Sequence, residues 1–232
     1  MDDLIFITSI SPAESCVEKQ KRAIASWKKL GIKSYSVNCK QEINKLSSIY
    51  SDIIFIEASE TAEKLYTKPY IFINDLLDKG KSLTNHLMCI INADIILEDN
   101  KEKFIQFCEL CNNNLVFAAR YNFSNTLEDA VKEPWGLDIF LFPKKYVDIF
   151  KKKDYAMGQP FWDLWFPCVF VANKIPITFY DKSLFYHKIH PFDWTLETWK
   201  VLEKVFNEEF NTWDINAMDK YWNTIKTATI IK

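Results

Sequence analysis

The sequence predicts an α/β fold: a mixed, mainly parallel sheet flanked by helices, with an aromatic-rich C-terminal part and a helical tail. Two observations point there. Short apolar runs alternate with helical patterns through the N-terminal half, which is the signature of βαβ units. Seven of the eight tryptophans lie from Trp135 onward, so the C-terminal half has a different composition from the N-terminal half.

The elements follow in order. "DLIFITSI" reads as a strand ending at Thr8 and Ser9. "SPAE" then reads as a helix start, with Ser11 as N-cap, Pro12 at the first helical position and Glu14 placed for a capping box. This helix is expected to run to about Leu30 and stop at Gly31. "KSYSVN" is a second strand ending at Asn38, "QEINKL" a short helix and "DIIFIEA" a third strand. "KPYIFINDLLDKG" is expected to be a helix closed by Gly80, and "HLMCIINADIIL" one continuous fourth strand. A helix over about 101–112 precedes the strand "LVFAARYNF". "WGLDIFLFPKKYVDIF" reads as a strand that gives way to a helix at "FP", and "GQPFWDLWFPCVFVANK" as a buried aromatic helix. "ITFYDKSLFYHKIH" supplies one or two short strands, and the tail from Trp194 is helical in two segments parted near "NTWD". No linker or repeat interrupts the chain, which reads as one domain over 1–232.

Composition limits the function. Hydrophobic residues make up 48% and charged residues 26%, the balance of a soluble globular protein. With a net charge of −2 and basic residues spread along the chain, a broad nucleic-acid-binding face is not expected. No apolar run is long enough for a transmembrane segment, and "MDDLIFITS" lacks the basic start of a signal peptide. The six cysteines sit mostly in apolar runs, as Cys39, Cys89 and Cys168 do, so reduced thiols in a cytoplasmic protein are expected. Cys108 and Cys111 fall in a helical pattern and read as packing residues.

Several common sites are excluded. Four glycines (Gly31, Gly80, Gly136, Gly158) leave no G-x-G-x-x-G loop, and the "GKS" at Gly80–Ser82 follows a helix and has Asp75 where a P-loop needs its first glycine. There is no G-x-S-x-G elbow. What remains is four polar islands in apolar surroundings: Asn92-Ala93-Asp94, "WGLDIF" with Asp138, "GQPFWDLW" with Asp163, and "FYHKIH" with His187 and His190. Carboxylates and an imidazole suit a Mg²⁺ or Mn²⁺ pyrophosphate site, and a further carboxylate could serve as a base. Thr8, Ser9, Asn38 and Asp94 stand at predicted strand ends, where ligands of parallel sheets bind.

The strand followed by "INADI" resembles the D-x-D region of GT-A-fold glycosyltransferases, with Asn92 in place of the first aspartate. "GLDIFLFPK", "GQPFWDLWFP" and "HKIH" occur in an order similar to segments of a bacterial and viral branch of that superfamily, over roughly residues 4–195. The resemblance implies a Rossmann-like, GT-A-like fold in which residues 1–100 bind a nucleotide sugar, 101–195 carry acceptor and catalytic groups, and 196–232 form a helical tail. It implies transfer of a sugar from a UDP- or GDP-sugar donor to a glycan or other hydroxyl acceptor, with inversion. Asp163 would be the general base and Asp138 a contact to donor or acceptor sugar. Thr8, Ser9, Asn38, Asn92 and Arg120 would border the nucleotide and its diphosphate, and Asp94 with His187 or His190 would ligate Mn²⁺ or Mg²⁺. Asn92 removes one carboxylate, which puts strict metal dependence in question.

Plainer roles stand beside these. Asp94 could cap a turn, Asp163 could cap a helix or balance its dipole, and Asp138 needs some partner if buried. In an extended strand His187 and His190 would face opposite ways, so only one is expected as a ligand, with His187 favoured. The aromatic cluster from Trp135 to Trp199 reads mainly as core, with room for a ring stacked on a sugar. Alternative functions are a nucleotidyltransferase with a related α/β core and a non-catalytic nucleotide- or carbohydrate-binding module.

Overall fold

The computed structural model describes residues 3–191, 194–211 and 217–232. The strands are β1 (Leu4–Thr8), β2 (Lys33–Asn38), β3 (Ile54–Glu57), β4 (Leu87–Ile91), β5 (Ile95–Leu97), β6 (Leu115–Phe123), β7 (Val131–Pro143), β8 (Ile177–Tyr180), β9 (Phe185–Lys188) and β10 (Thr229–Ile231). The helices are α1 (Glu14–Lys29), α2 (Lys40–Leu46), α3 (Glu63–Tyr66), α4 (Ile73–Leu83), α5 (Lys101–Glu109), α6 (Trp162–Ala172), α7 (Leu196–Phe210) and α8 (Ala217–Ile225), with 3₁₀ turns at Leu127–Asp129 and Lys144–Ile149.

One curled sheet runs β10-β8-β6-β7-β4-β1-β2-β3, with β5 and β9 paired beside it. Along that path β7 alone runs against its neighbours, being antiparallel to both β4 and β6. The expected mixed α/β sheet flanked by helices is therefore present. Its strands read as near-continuous apolar runs because both faces are covered. In β4, Met88 and Ile90 pack to one face with α4, α6 and the tail, while Cys89 and Ile91 pack to the other. Trp27 of α1 lies on that second face, where its indole donates to Ile95 O at 2.8 Å.

Several element boundaries differ from the sequence expectation. Helix α1 begins at Glu14 after Ala13, with no side-chain cap, and Ser11 Oγ only accepts from Ala13 N at 3.4 Å. The preceding chain is pinned to β2, where Ile10 N donates to Ser36 Oγ and Asn38 Nδ2 donates to Ile10 O. That tether holds the chain away from a helical turn at Ser11. The single fourth strand is in fact two: Asn92–Asp94 make a turn, Ile95 N bonding back to Asn92 O, and β5 leaves the main sheet to pair with β9. Helix α4 continues past Gly80, whose bare Cα accepts Met88, since a Cβ there would stand 2.5 Å from Met88 Cε. The stretch after β7 is a 3₁₀ turn rather than an α-helix. The short helix α3 and strand β10 carry too few residues to show periodicity, so the sequence does not point to them. Part of the "NTWD" break lies outside the described residues; Asn211 before it is left-handed, at φ 52°.

Candidate functional site

A cavity of about 770 Å³ opens at the carboxyl ends of the parallel strands. Because β7 is reversed, its first half reaches this same edge, so Asp138 O accepts from Asn92 N at 3.1 Å. Ser9, Asn92, Asp94, Arg120, Asp138, Asp163, His187 and His190 all line the cavity. Thr8 and Asn38 do not. Thr8 is fully buried, and the Asn38 amide is spent on Ile10 O at 2.9 Å and Glu42 at 2.8 Å.

The metal-type cluster is built by register. His187 in β9 pairs across to Ile95 on one side and Asn122 on the other. The strand ends at Lys188, so the alternation that would separate His187 from His190 is lost after one residue. The two rings therefore do not face opposite ways, as an extended strand would have had them, but meet at Asp94. Their Nε2 atoms lie 3.1 Å apart, and Asp94 Oδ2 stands 3.0 Å from that of His190 and 3.6 Å from that of His187.

The remaining ring nitrogens assign the tautomers. His190 Nδ1 faces the Pro191 carbonyl at 2.8 Å, and His187 Nδ1 faces Asn122 Oδ1 at 3.1 Å. Asn122 Oδ1 also accepts from Arg120 Nε at 3.0 Å, which identifies it as the acceptor end of that amide. Both Nδ1 atoms therefore carry hydrogen and both Nε2 atoms turn toward Asp94. Carbonyl-anchored imidazoles aimed at one carboxylate are the arrangement found around bound metals. With neutral rings these are three acceptors that need protons or a cation among them, and the Lys19 ammonium already supplies one at Asp94 Oδ2. The Asp94–His187–His190 set could also hold a divalent ion, and two imidazoles with one carboxylate suit Mn²⁺ better than Mg²⁺.

Charge around Asp94 is strongly biased. Burial pushes its carboxyl up, yet the hydrogen bonds that both imidazoles donate through Nε2 when protonated, with the charge of His187 in that form and of Lys19, hold it well below the usual carboxylate range. The His190 imidazole is raised, mainly by its bond to Asp94. Lys19 of α1 completes the group, its ammonium 3.2 Å from Asp94 Oδ2 with the side chain 11% exposed.

Beside this cluster Asp138 is buried and accepts from both the Asn92 amide and Arg120 NH1. The chain of contacts from Asp94 through His190, His187, Asn122, Arg120, Asp138 and Asn92 is continuous. Asp163 sits in the first turn of α6 and, among the described residues, is bonded only to its own helix, through Leu164 N at 3.0 Å. Burial first, then the charge of Asp138, pushes its carboxyl up to about 7.

Sequence reasoning missed Lys19, Asn122 and Gln159, all on the cavity wall. Lys19 reads as an ordinary exposed lysine of "EKQKR"; the signal was its place on the helix that follows the first strand's carboxyl end.

Fold and site together define an α/β protein whose ligand crevice lies at the carboxyl edge of a mainly parallel sheet. No known family pattern matches the sequence, and no curated protein matches it. Among solved structures, a protein assigned as a glucose-1-phosphate thymidylyltransferase from Bacillus anthracis, in complex with sucrose, is similar at 12% identity. That match covers 78% of this chain and 87% of the other, with a TM-score of 0.49. A mannose-1-phosphate geranyltransferase from Thermus thermophilus is similar at 9% identity over 63% of this chain and 59% of that one, with a TM-score of 0.39. At such identities the likeness concerns the path of the backbone and says nothing of the reaction.

Proposed function

We propose that the chain acts on activated sugars, as a glycosyltransferase that moves a sugar from a nucleoside-diphosphate donor to an acceptor hydroxyl with inversion. One observation carries this reading: a single cavity holds both the Asp94–His187–His190 cluster and the Asp163 carboxyl poised at about 7. A general base works best when its pKa lies near the working pH. Above that value Asp163 is a carboxylate able to take the proton of an attacking hydroxyl. Lys19 and Arg120 give the same cavity positive charge for a diphosphate, and Ser9 and Asn92 border it. Asp94, His187 and His190 would hold Mn²⁺ or Mg²⁺, whose charge supplies stabilisation for the departing diphosphate. The six free cysteines support a reducing, cytoplasmic setting.

Nucleotidyl transfer is the second reading, because the same cations suit a triphosphate as well as a diphosphate. Asp163 weighs against it. The attacking oxygen of a sugar phosphate is already anionic at neutral pH and needs no base.

The test is incubation with UDP-, GDP- and CMP-sugars, and separately with nucleoside triphosphates plus sugar 1-phosphates, each with Mn²⁺ or Mg²⁺. Nucleoside diphosphate (or CMP) release supports glycosyl transfer, and pyrophosphate release moves the assignment to the second reading. If none of these compounds is bound or turned over, both fail. A binding module without catalysis would bind a donor and release nothing.

A further inference from the structure

The cavity wall carries two chemistries. Ser9, Ser11, Lys19 and Lys45 give it polar and charged groups. Tyr70, Trp135, Phe161, Trp194 and Trp199 give it aromatic ones, and Phe161, Trp194 and Trp199 pack together. We propose that this aromatic cluster is a carbohydrate-acceptor subsite, where a sugar ring stacks on Trp199 and its neighbours and its hydroxyls meet Gln159 and Asp163. The inference rests on the glycosyl-transfer reading and specifies the acceptor class.

The rings are braced. Trp199 of α7 packs 4.6 Å from Phe161, with Trp194 at 5.5 Å and an interplanar tilt of 36°. Trp135 is 40% exposed and meets Trp222 edge-on at 4.3 Å. Rings fixed by such neighbours offer a preformed apolar face, and amphipathic indoles suit a partner with one apolar and one polar side.

A polar handle sits among them. Gln159 is 4% exposed, and its amide makes a single intraprotein bond, Nε2 to Gly158 O at 3.3 Å. Among the described residues its carbonyl oxygen takes no hydrogen bond. That oxygen is not among the fully buried side-chain atoms that lack a partner, so it stays open to the cavity and can meet a hydroxyl there.

The backbone between Gln159 and Asp163 is also unusual. Phe161 holds a left-handed conformation at φ 73°, rare for a bulky residue. Around this turn Gln159 and Asp163 line the cavity, and Trp162, which also borders it, packs against Phe140 at 5.4 Å. Strain of this kind persists where the surroundings over-determine it, and it clusters at functional sites. A sugar ring satisfies every part: its C–H face covers the indoles, and its hydroxyls pair with the amide and the carboxyl. A lipid chain would leave Gln159 and Asp163 unpaired.

The experiment measures transfer from the active nucleotide sugar to lactose, cellobiose, maltose and chitobiose, against a serine peptide and octanol. Trp135→Ala, Trp199→Leu and Gln159→Leu are compared with wild type, with thermal midpoints as the folding control. The expected result is transfer to one or more of the sugars only, with at least a tenfold rise in acceptor KM for Trp199→Leu or Gln159→Leu and less than twofold change in donor KM. Equal transfer to peptide or octanol, or unchanged acceptor KM in all three folded variants, overturns the proposal while leaving glycosyl transfer intact. If wild type turns over no nucleotide sugar, the function itself has failed. The subsite is then judged by NMR of the tryptophan indole N–H signals during titration with the same four sugars. Shifts lost in Gln159→Leu uphold the subsite, and no shift overturns it.

Discussion

Asn92 stands where a D-x-D pair would have its first aspartate, and its amide donates to Asp138 Oδ1. The second carboxylate of this corner is supplied across the sheet by β7, and Asn92 holds it. Asn92→Asp would bring two carboxylates together beside a single guanidinium. The expected cost is about 1–3 kcal/mol at pH 7, the order of an unrelieved like-charge pair. Urea unfolding checks it, and the gap should narrow toward pH 4 as a shared proton removes the repulsion. Asp163→Asn is expected to lower turnover about 10²–10⁴-fold while keeping donor affinity, as single-turnover kinetics and donor titration would show. Its effect on stability has the opposite sign. Because the folded carboxyl titrates at about 7 against roughly 4 when unfolded, wild-type stability is whole below the lower value and is lost as pH rises to the upper. The variant escapes that loss and should gain on the order of 4 kcal/mol over wild type at pH 8, with no gain at pH 4. Thermal melts at the two pH values decide it. These pairings depend on side chains 46 and 18 positions apart for Asn92–Asp138 and Arg120–Asp138, so no local pattern could reveal them.

Strand β7 is the element that assembles the site. Its reversal carries Asp138 to the carboxyl edge of the sheet, and its Gly136 makes room for Arg120. A Cβ at Gly136 would stand 2.6 Å from Arg120 Nε, so Gly136→Ala should displace the guanidinium from Asp138. A loss of about 2 kcal/mol is expected for disturbing a buried ion pair, read as a lower urea midpoint at unchanged m. The run "WGLDIFLFP" showed a strand, but its direction was not readable, since an apolar strand buried on both faces has the same pattern either way. Helix α1 tells a similar story. Its body and its stop at Gly31 followed from the sequence, whereas its start was displaced by tethers from Ser36 and Asn38 on another strand.

At the scale of the whole molecule, the ligand cluster joins two parts of the chain, Asp94 with His187 and His190, around the turn between β4 and β5. A cation bound there stabilises only the folded form. Mn²⁺ at a hundredfold excess over its Kd should add about 2.7 kcal/mol, seen as a midpoint rise reversed by EDTA and absent in the His187→Ala/His190→Ala double variant. No such rise would remove the metal from the proposal. Among the described residues no helix is long and apolar enough to cross a membrane. The sequence by itself determined the alternation of strands and helices, the mixed α/β class and the residue types at the crevice, because periodicity, caps and burial patterns are local. Only the tertiary structure decided the direction of β7, the meeting of both histidines on Asp94 and the placing of Lys19, Asn122 and Gln159 in one cavity. Those depend on strand register and on where each strand stops, which are set by packing between residues far apart in the chain.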